Sequence, residues 1–172
     1  MNIEIRKALS SDINLLSDLG RETFYETWRP VNTEEDMQQY MMEAFDHNKI
    51  KTDVEDTAIN TFLIAYVGDY AIGYVKLRCD RTYVEFKNER VIELERIYVV
   101  KEWQGKKVGK GLMDHCLDLA SDGNYSWIWL GVNTDNTKAI EFYKQYGFTI
   151  FGEKSFKLGE AVDKDFLMKK KC

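Results

Sequence analysis

Residues Gln104 to Leu112 read Gln-Gly-Lys-Lys-Val-Gly-Lys-Gly-Leu, after the apolar run Ile97-Tyr98-Val99-Val100 and ahead of a helical pattern. That order constrains the fold more than any other stretch. A strand that turns through glycine and lysine into a helix brings the free N–H groups of the first turn and the positive end of the helix dipole to one point, where phosphate binds. Gly105, Gly109 and Gly111 let an anion approach the main chain with no Cβ in the way. Lys106, Lys107 and Lys110 add charge-assisted donors. The loop has no Gly-Lys-Ser or Gly-Lys-Thr and no Gly-x-Gly-x-x-Gly spacing. Lysines opening a solvated helix are the bland alternative. It fits less well, because glycine in a first turn lowers helix propensity.

The chain's 172 residues and single proline, Pro30, point to one domain with one core and no linker. No apolar run nears the roughly 20 residues that span a bilayer, and the N-terminus alternates like a strand, so a cytoplasmic protein is expected. Cys79, Cys116 and Cys172 are too far apart to suggest a disulfide framework or zinc knuckle. With only His47 and His115, neither a histidine metal site nor a Ser/His/Asp triad is expected, and no metal is assigned. A net charge of −5 argues against nucleic acid as the partner. Between Glu22 and Asp56 ten acids face three bases, whereas the glycine loop is basic. An acidic pocket beside a basic one suits a cationic substrate and an anionic cofactor; solvated acidic helices are the equal alternative.

Hydrophobic periodicity places strands at 2–8, 61–67, 70–79, 91–100 and 126–132, with closing strands at 148–151 and 165–169. Helices are expected at 12–27, after the N-cap candidate Thr33, from about 105–109 to 121, and at 136–146 before the C′ glycine Gly147. Gly68-Asp69 marks a hairpin, Gly73 a bulge or close approach, and residues 80–90 a polar loop. The result is a mixed α/β sheet with helices on both faces.

Ile97-Tyr98-Val99, the Gln104–Leu112 loop and the run Leu130-Gly131-Val132-Asn133-Thr134-Asp135-Asn136 through Phe142-Tyr143 to Tyr146-Gly147-Phe148 together resemble the GNAT superfamily of acyl-CoA-dependent N-acetyltransferases. The match is strong over 91–151 and loose elsewhere. It implies the GNAT (acyl-CoA N-acyltransferase) fold, a mixed, mostly antiparallel sheet splayed between the fourth and fifth strands. It also implies acetyl-CoA as cofactor, with coenzyme A as product. The pantetheine arm would pair with Ile97, Tyr98 and Val99. The pyrophosphate would lie on Gln104, Gly105, Lys106, Lys107, Val108, Gly109 and Lys110, and Asn136 and Lys144 would complete the cofactor set. Plain N-capping is the alternative for Asn136. Lys107 stands where the family loop usually has its first glycine; with a negative φ it can still donate its N–H and pyrophosphate binding is expected to survive, whereas it would fail if the turn needs a left-handed residue.

By the same resemblance Tyr143 is the general acid that protonates the departing thiolate, with packing on the sheet as its alternative and Phe142 pointing elsewhere. A strand N–H near Tyr98 would stabilise the oxyanion. The amine must lose its proton before attack. Glu93 and Glu95 alternate on the fourth strand, and Glu95 is the favoured base, pairing with Arg96 or Arg78 being its alternative. Glu22 to Trp28 and the segment after Asn32 resemble PaiA-type polyamine acetyltransferases, which implies spermidine or spermine as acceptor. A flexible polycation calls for carboxylates and aromatic faces. Glu22, Tyr25, Glu26, Trp28 and Tyr40 are the residues expected to line that end. A protein N-terminus, a lysine or another small amine is a second acceptor class, and a non-catalytic acyl-CoA-binding regulator a third reading. The oligomeric state stays open, a homodimer through the final strand being one arrangement.

Overall fold

The computed structural model describes residues 2–158 and 161–172. Its strands are β1 (Glu4–Lys7), β2 (Asn60–Val67), β3 (Tyr70–Arg78), β4 (Val91–Val99), β5 (Trp127–Asn133), β6 (Thr149–Leu158) and β7 (Ala161–Lys171). Its α-helices are α1 (Ile13–Trp28), α2 (Glu34–Ala44), α3 (His47–Glu55), α4 (Val108–Asp122) and α5 (Thr137–Gln145). The strands form one seven-stranded sheet in the order β1-β2-β3-β4-β5-β7-β6. Every pairing is antiparallel except β4 with β5.

That parallel pairing positions the site. It holds only from Val91↔Trp127 to Glu93↔Trp129, after which the two strands part. β4 also changes phase. Arg96 pairs with Lys76 and Leu94 with Leu77, so Glu95 is one residue extra, a β-bulge. Ile92 and Leu94 before the bulge, and Ile97 and Val99 after it, therefore face the same core. Arg96 and Tyr98 turn to the other side, where Tyr98 packs with residues of α1 and α2.

Two helical layers cover the sheet. On one face α4 contributes Leu112, Met113, Cys116 and Ala120, and α5 contributes Ile140 and Tyr143. On the other, α1 contributes Leu16, Leu19 and Phe24, α2 Met37 and Met41, and α3 Ile50 and Val54. Thr33 caps α2 through Asp36 N at 3.2 Å, as its position predicts. Gly73 is a close approach, since a Cβ there would stand 2.7 Å from the Tyr98 carbonyl oxygen. The closing strands are longer than the expected 148–151 and 165–169, and they pair as a hairpin from Thr149↔Lys169 to Leu158↔Ala161. Residues 80–90 are not merely a polar loop. A short 3₁₀ turn, Val84–Phe86, buries Phe86 completely against Trp129 and Leu167.

Candidate active site

Where β4 and β5 separate, a cleft of about 970 Å³ opens through the sheet. One end is the start of α4, lined by Gln104, Gly105, Lys107, Gly109 and Lys110. No side chain caps this helix, so its first N–H groups are left to a ligand. Gln104 spans the gap. Its Nε2 donates to Val99 O at 3.2 Å, and its Oε1 accepts from Lys138 Nζ at 3.5 Å. The expectation of a negative φ at Lys107 is wrong: Lys107 is left-handed, φ 67°, with Lys106 between it and Gly105 at φ 76°. The left-handed residue does not stop the helix from forming, since Gly111 N donates to Lys107 O at 3.0 Å, and the first turn keeps its uncapped N–H groups.

Ile97, Tyr98, Val99 and Asn136 line the same cleft, as do Tyr143, Glu95, Glu26, Trp28 and Tyr40. Asn136 is an N-cap, its Oδ1 accepting from Ala139 N at 3.1 Å, and it faces the cleft as well. Five expected residues lie outside the wall. Glu22 is exposed on the outer face of α1. Tyr25 turns outward to donate to Glu34 Oε2 at 2.8 Å. Lys106 lays its ammonium over the Trp103 ring at 4.7 Å. Val108 buries its side chain in the core. Lys144 pairs with Glu141 at 2.9 Å. The acidic helix is thus mostly a solvated face. Glu26 reaches the cleft by another route, accepting from Lys101 N at 3.0 Å and so tying α1 to the segment that leads into the glycine loop.

The hydroxyl of Tyr143 has no hydrogen-bond partner among the described residues, and burial pushes its pKa up, which keeps it protonated. Its ring sits 5.8 Å from Phe148, so packing and cleft lining coexist. Phe142 does not point elsewhere; it lines the cleft, 5.5 Å from the Tyr143 ring. Tyr98 accepts from Trp28 Nε1 at 3.2 Å, and burial pushes its hydroxyl up to about 12. Phe24 and Tyr40 stack at 4.5 Å beside them.

The two β4 carboxylates have opposite electrostatics. Burial works to raise the pKa of Glu95, but the Lys76 ammonium at 2.9 Å, with Arg96, outweighs it and holds the group at about 2. Arg78 lies at 3.3 Å from the same oxygen. A carboxylate held that low is a weak proton acceptor, and the pairing with Arg78 is the alternative expected for Glu95. Glu93 is almost fully buried, and burial raises its pKa, with Arg81 at 3.3 Å opposing. Reading the sequence missed Arg81, Lys154 and Asp165, which also line the cleft. Asp165 is 7% exposed, and burial raises its pKa despite Lys154 nearby. No local pattern marks them; β6 and β7 carry Lys154 and Asp165 to the cleft, and the segment between β3 and β4 carries Arg81. Among the described residues no group of His, Cys, Asp and Glu is arranged to hold a metal, and no helix is long and apolar enough to cross a membrane.

The profile of the acetyltransferase (GNAT) family matches residues 18–148. The chain belongs to that family. An uncharacterized N-acetyltransferase in the pepI 3′ region of Lactobacillus delbrueckii subsp. lactis is 30% identical over 98% of this chain and 96% of its own length. The spermidine N(1)-acetyltransferase of Thermoplasma acidophilum is 26% identical over 99% of this chain and 98% of its own length. Among solved structures, the PaiA N-acetyltransferase of the same organism in complex with coenzyme A superposes with a TM-score of 0.80 at 24% identity, covering all of both chains. The structure of yncA from Salmonella typhimurium with its cofactor acetyl-CoA gives a TM-score of 0.69 at 19% identity, covering 99% of this chain and 94% of that one. The protein is therefore an acetyl-CoA-dependent N-acetyltransferase of GNAT fold, and the reading as a non-catalytic regulator falls. The uncapped α4 N-terminus beside Lys107, Lys110 and Lys138 fits the anionic end of acetyl-CoA.

Proposed function

We propose that this acetyltransferase transfers the acetyl group to a primary amine by direct attack within a ternary complex, with a polyamine such as spermidine or spermine as the first acceptor class. One observation carries the reading: past Glu93↔Trp129 the sheet is open, and the gap joins an uncapped helix N-terminus to a chamber walled by aromatic rings and buried carboxylates. The α4 N–H groups and Lys110 hold the diphosphate. Ile97, Tyr98 and Val99 flank the pantetheine arm, and Asn136 braces it from α5. Tyr143 supplies a proton to the thiolate as the C–S bond breaks. Glu93, whose pKa is raised by burial, takes the amine proton through water, and Glu95 serves as a fixed, ion-paired charge. Trp28, Tyr40 and Tyr98 offer faces to an alkylammonium chain. The similarity to a spermidine acetyltransferase supports the same class.

A second reading, an acceptor that also carries an anionic group such as a peptide, draws on Arg96 and Lys154. Both line the cleft and neither makes an ion pair among the described residues. Incubation with acetyl-CoA and separate panels of polyamines and peptides, followed by thiol release and product mass, separates the two. Turnover on peptides with none on polyamines rules out the first reading.

A further inference from the structure

Lys154 is placed unlike the other lysines of the cleft. Lys101, Lys107, Lys110 and Lys138 gather near the start of α4, and Lys76 is sealed under β4 between Asp53 and Glu95. Lys154 rises from β6 and crosses β7, where it is paired with Asp165, to end over Gly131 of β5. A Cβ at position 131 would stand 2.9 Å from Lys154 Cε, 3.1 Å from its Nζ and 3.3 Å from Asp165 Oδ2. The missing side chain at Gly131 is what makes room for this ammonium. Gly131 lies just past the last β4–β5 pair, at the mouth of the gap. Glu93 on β4 and Asp165 on β7 line the same cleft as Lys154. A primary amine of the protein itself thus lines the cleft at Gly131, near Asp165 and in the same wall as the buried Glu93.

From this we infer that Lys154 is a self-acetylation site: in the absence of an external amine, its Nζ accepts the acetyl group from acetyl-CoA bound to the same chain. The inference rests on the proposed placing of the thioester in the gap. The Lys154 ammonium first gives a proton, through water, to Asp165 or Glu93. The neutral Nζ attacks the thioester carbonyl, the N–C bond forms and the C–S bond breaks. The thiolate takes a proton from Tyr143, and the proton shed by the new amide nitrogen returns to Tyr143 through water. The products are an acetyl-lysine, coenzyme A and one proton left on the carboxylate. The acetyl-lysine then fills the mouth of the gap at Gly131 and removes a cation from the cleft, so the modified enzyme turns over external amines more slowly.

The test incubates the whole protein with acetyl-CoA alone and follows intact mass and peptide maps with time. One acetyl group is expected on Lys154, added at least roughly tenfold faster than on any exposed lysine because the nucleophile is held beside the thioester. The rate constant should not depend on protein concentration. Lys154→Arg should remove the fast addition, and Tyr143→Phe, checked for folding by circular dichroism, should slow it. Acetylation of Lys154 no faster than elsewhere, or in proportion to protein concentration, overturns the inference. Acetyl-CoA affinity and thiol release with the amine panel are measured in parallel. If both are normal while Lys154 stays unmodified, the inference alone fails; if acetyl-CoA does not bind, the proposed site fails and takes the inference with it.

Discussion

Lys76→Met tests the electrostatics under β4. The Lys76 side chain is fully buried, its ammonium 2.8 Å from Asp53 Oδ2 and 2.9 Å from Glu95 Oε2. Methionine keeps the length and apolar stem but removes the charge, leaving two carboxylates with side-chain exposures of 13% and 16%. Breaking a buried pair from one side costs about 3–5 kcal/mol. A second route gives a similar figure. Moving Glu95 from its ordinary 4.5 to about 2 corresponds to roughly 3 kcal/mol at neutral pH. Because the folded-state value is depressed, that contribution is complete above about 4.5 and is lost as pH falls through about 2. For a chain of this size each kcal/mol moves Tm by about 2–4 °C, so the variant should melt roughly 6–20 °C lower at pH 7. Below about pH 4 the deficit should shrink, as the stranded carboxylates protonate. Thermal melts of both proteins across pH decide it. A loss under about 1 kcal/mol at pH 7, or a gap that stays constant on acidification, refutes the account of Lys76 as the cation that fixes Glu95.

Tyr143→Phe should lower kcat by about 10²–10⁴-fold with little change in acetyl-CoA affinity, read by thiol release and calorimetry; unchanged kcat removes its acid role. Lys107→Gly relieves a left-handed lysine and should stabilise by roughly 0.5–1 kcal/mol, visible as a higher Tm. Glu26→Gln weakens the tie to Lys101 N and should raise KM for acetyl-CoA several-fold, whereas Glu22→Gln should change neither KM. Gly73→Ala forces a Cβ to 2.7 Å from the Tyr98 carbonyl and should destabilise by about 1–3 kcal/mol in denaturant melts.

The order of elements was legible because amphipathic periods and caps are local. The positions of the glycine loop and of Tyr143 on the cleft wall were legible because a helix start and a tyrosine on α5 are set by local pattern. α3 escaped notice: its buried residues are only Ile50 and Val54, and one i,i+4 pair does not establish a period. Glu22 and Tyr25 fall outside the wall because residue type was read without helix face: Glu22 lies roughly 240° round α1 from Trp28, which does face the cleft, and Tyr25 is turned outward by its bond to Glu34. Asp165 and Lys154 depend on the β6–β7 register across β5, which no short stretch of sequence contains. The opposite characters of Glu93 and Glu95 follow from partners on β3 and in the 80–90 segment, brought close by pairing and by the extra residue in β4.

Only three residue pairs stitch β4 to β5. The chain is in effect two half-sheets, one of four strands and one of three, with a short seam between them. Whatever lies in the gap and bonds to both edges acts as a missing strand. A donor at a hundredfold excess over its Kd contributes about 2.7 kcal/mol to the folded state. Amide exchange should report that gain most clearly along the two facing edges, with the three-stranded flap slowing together as one unit.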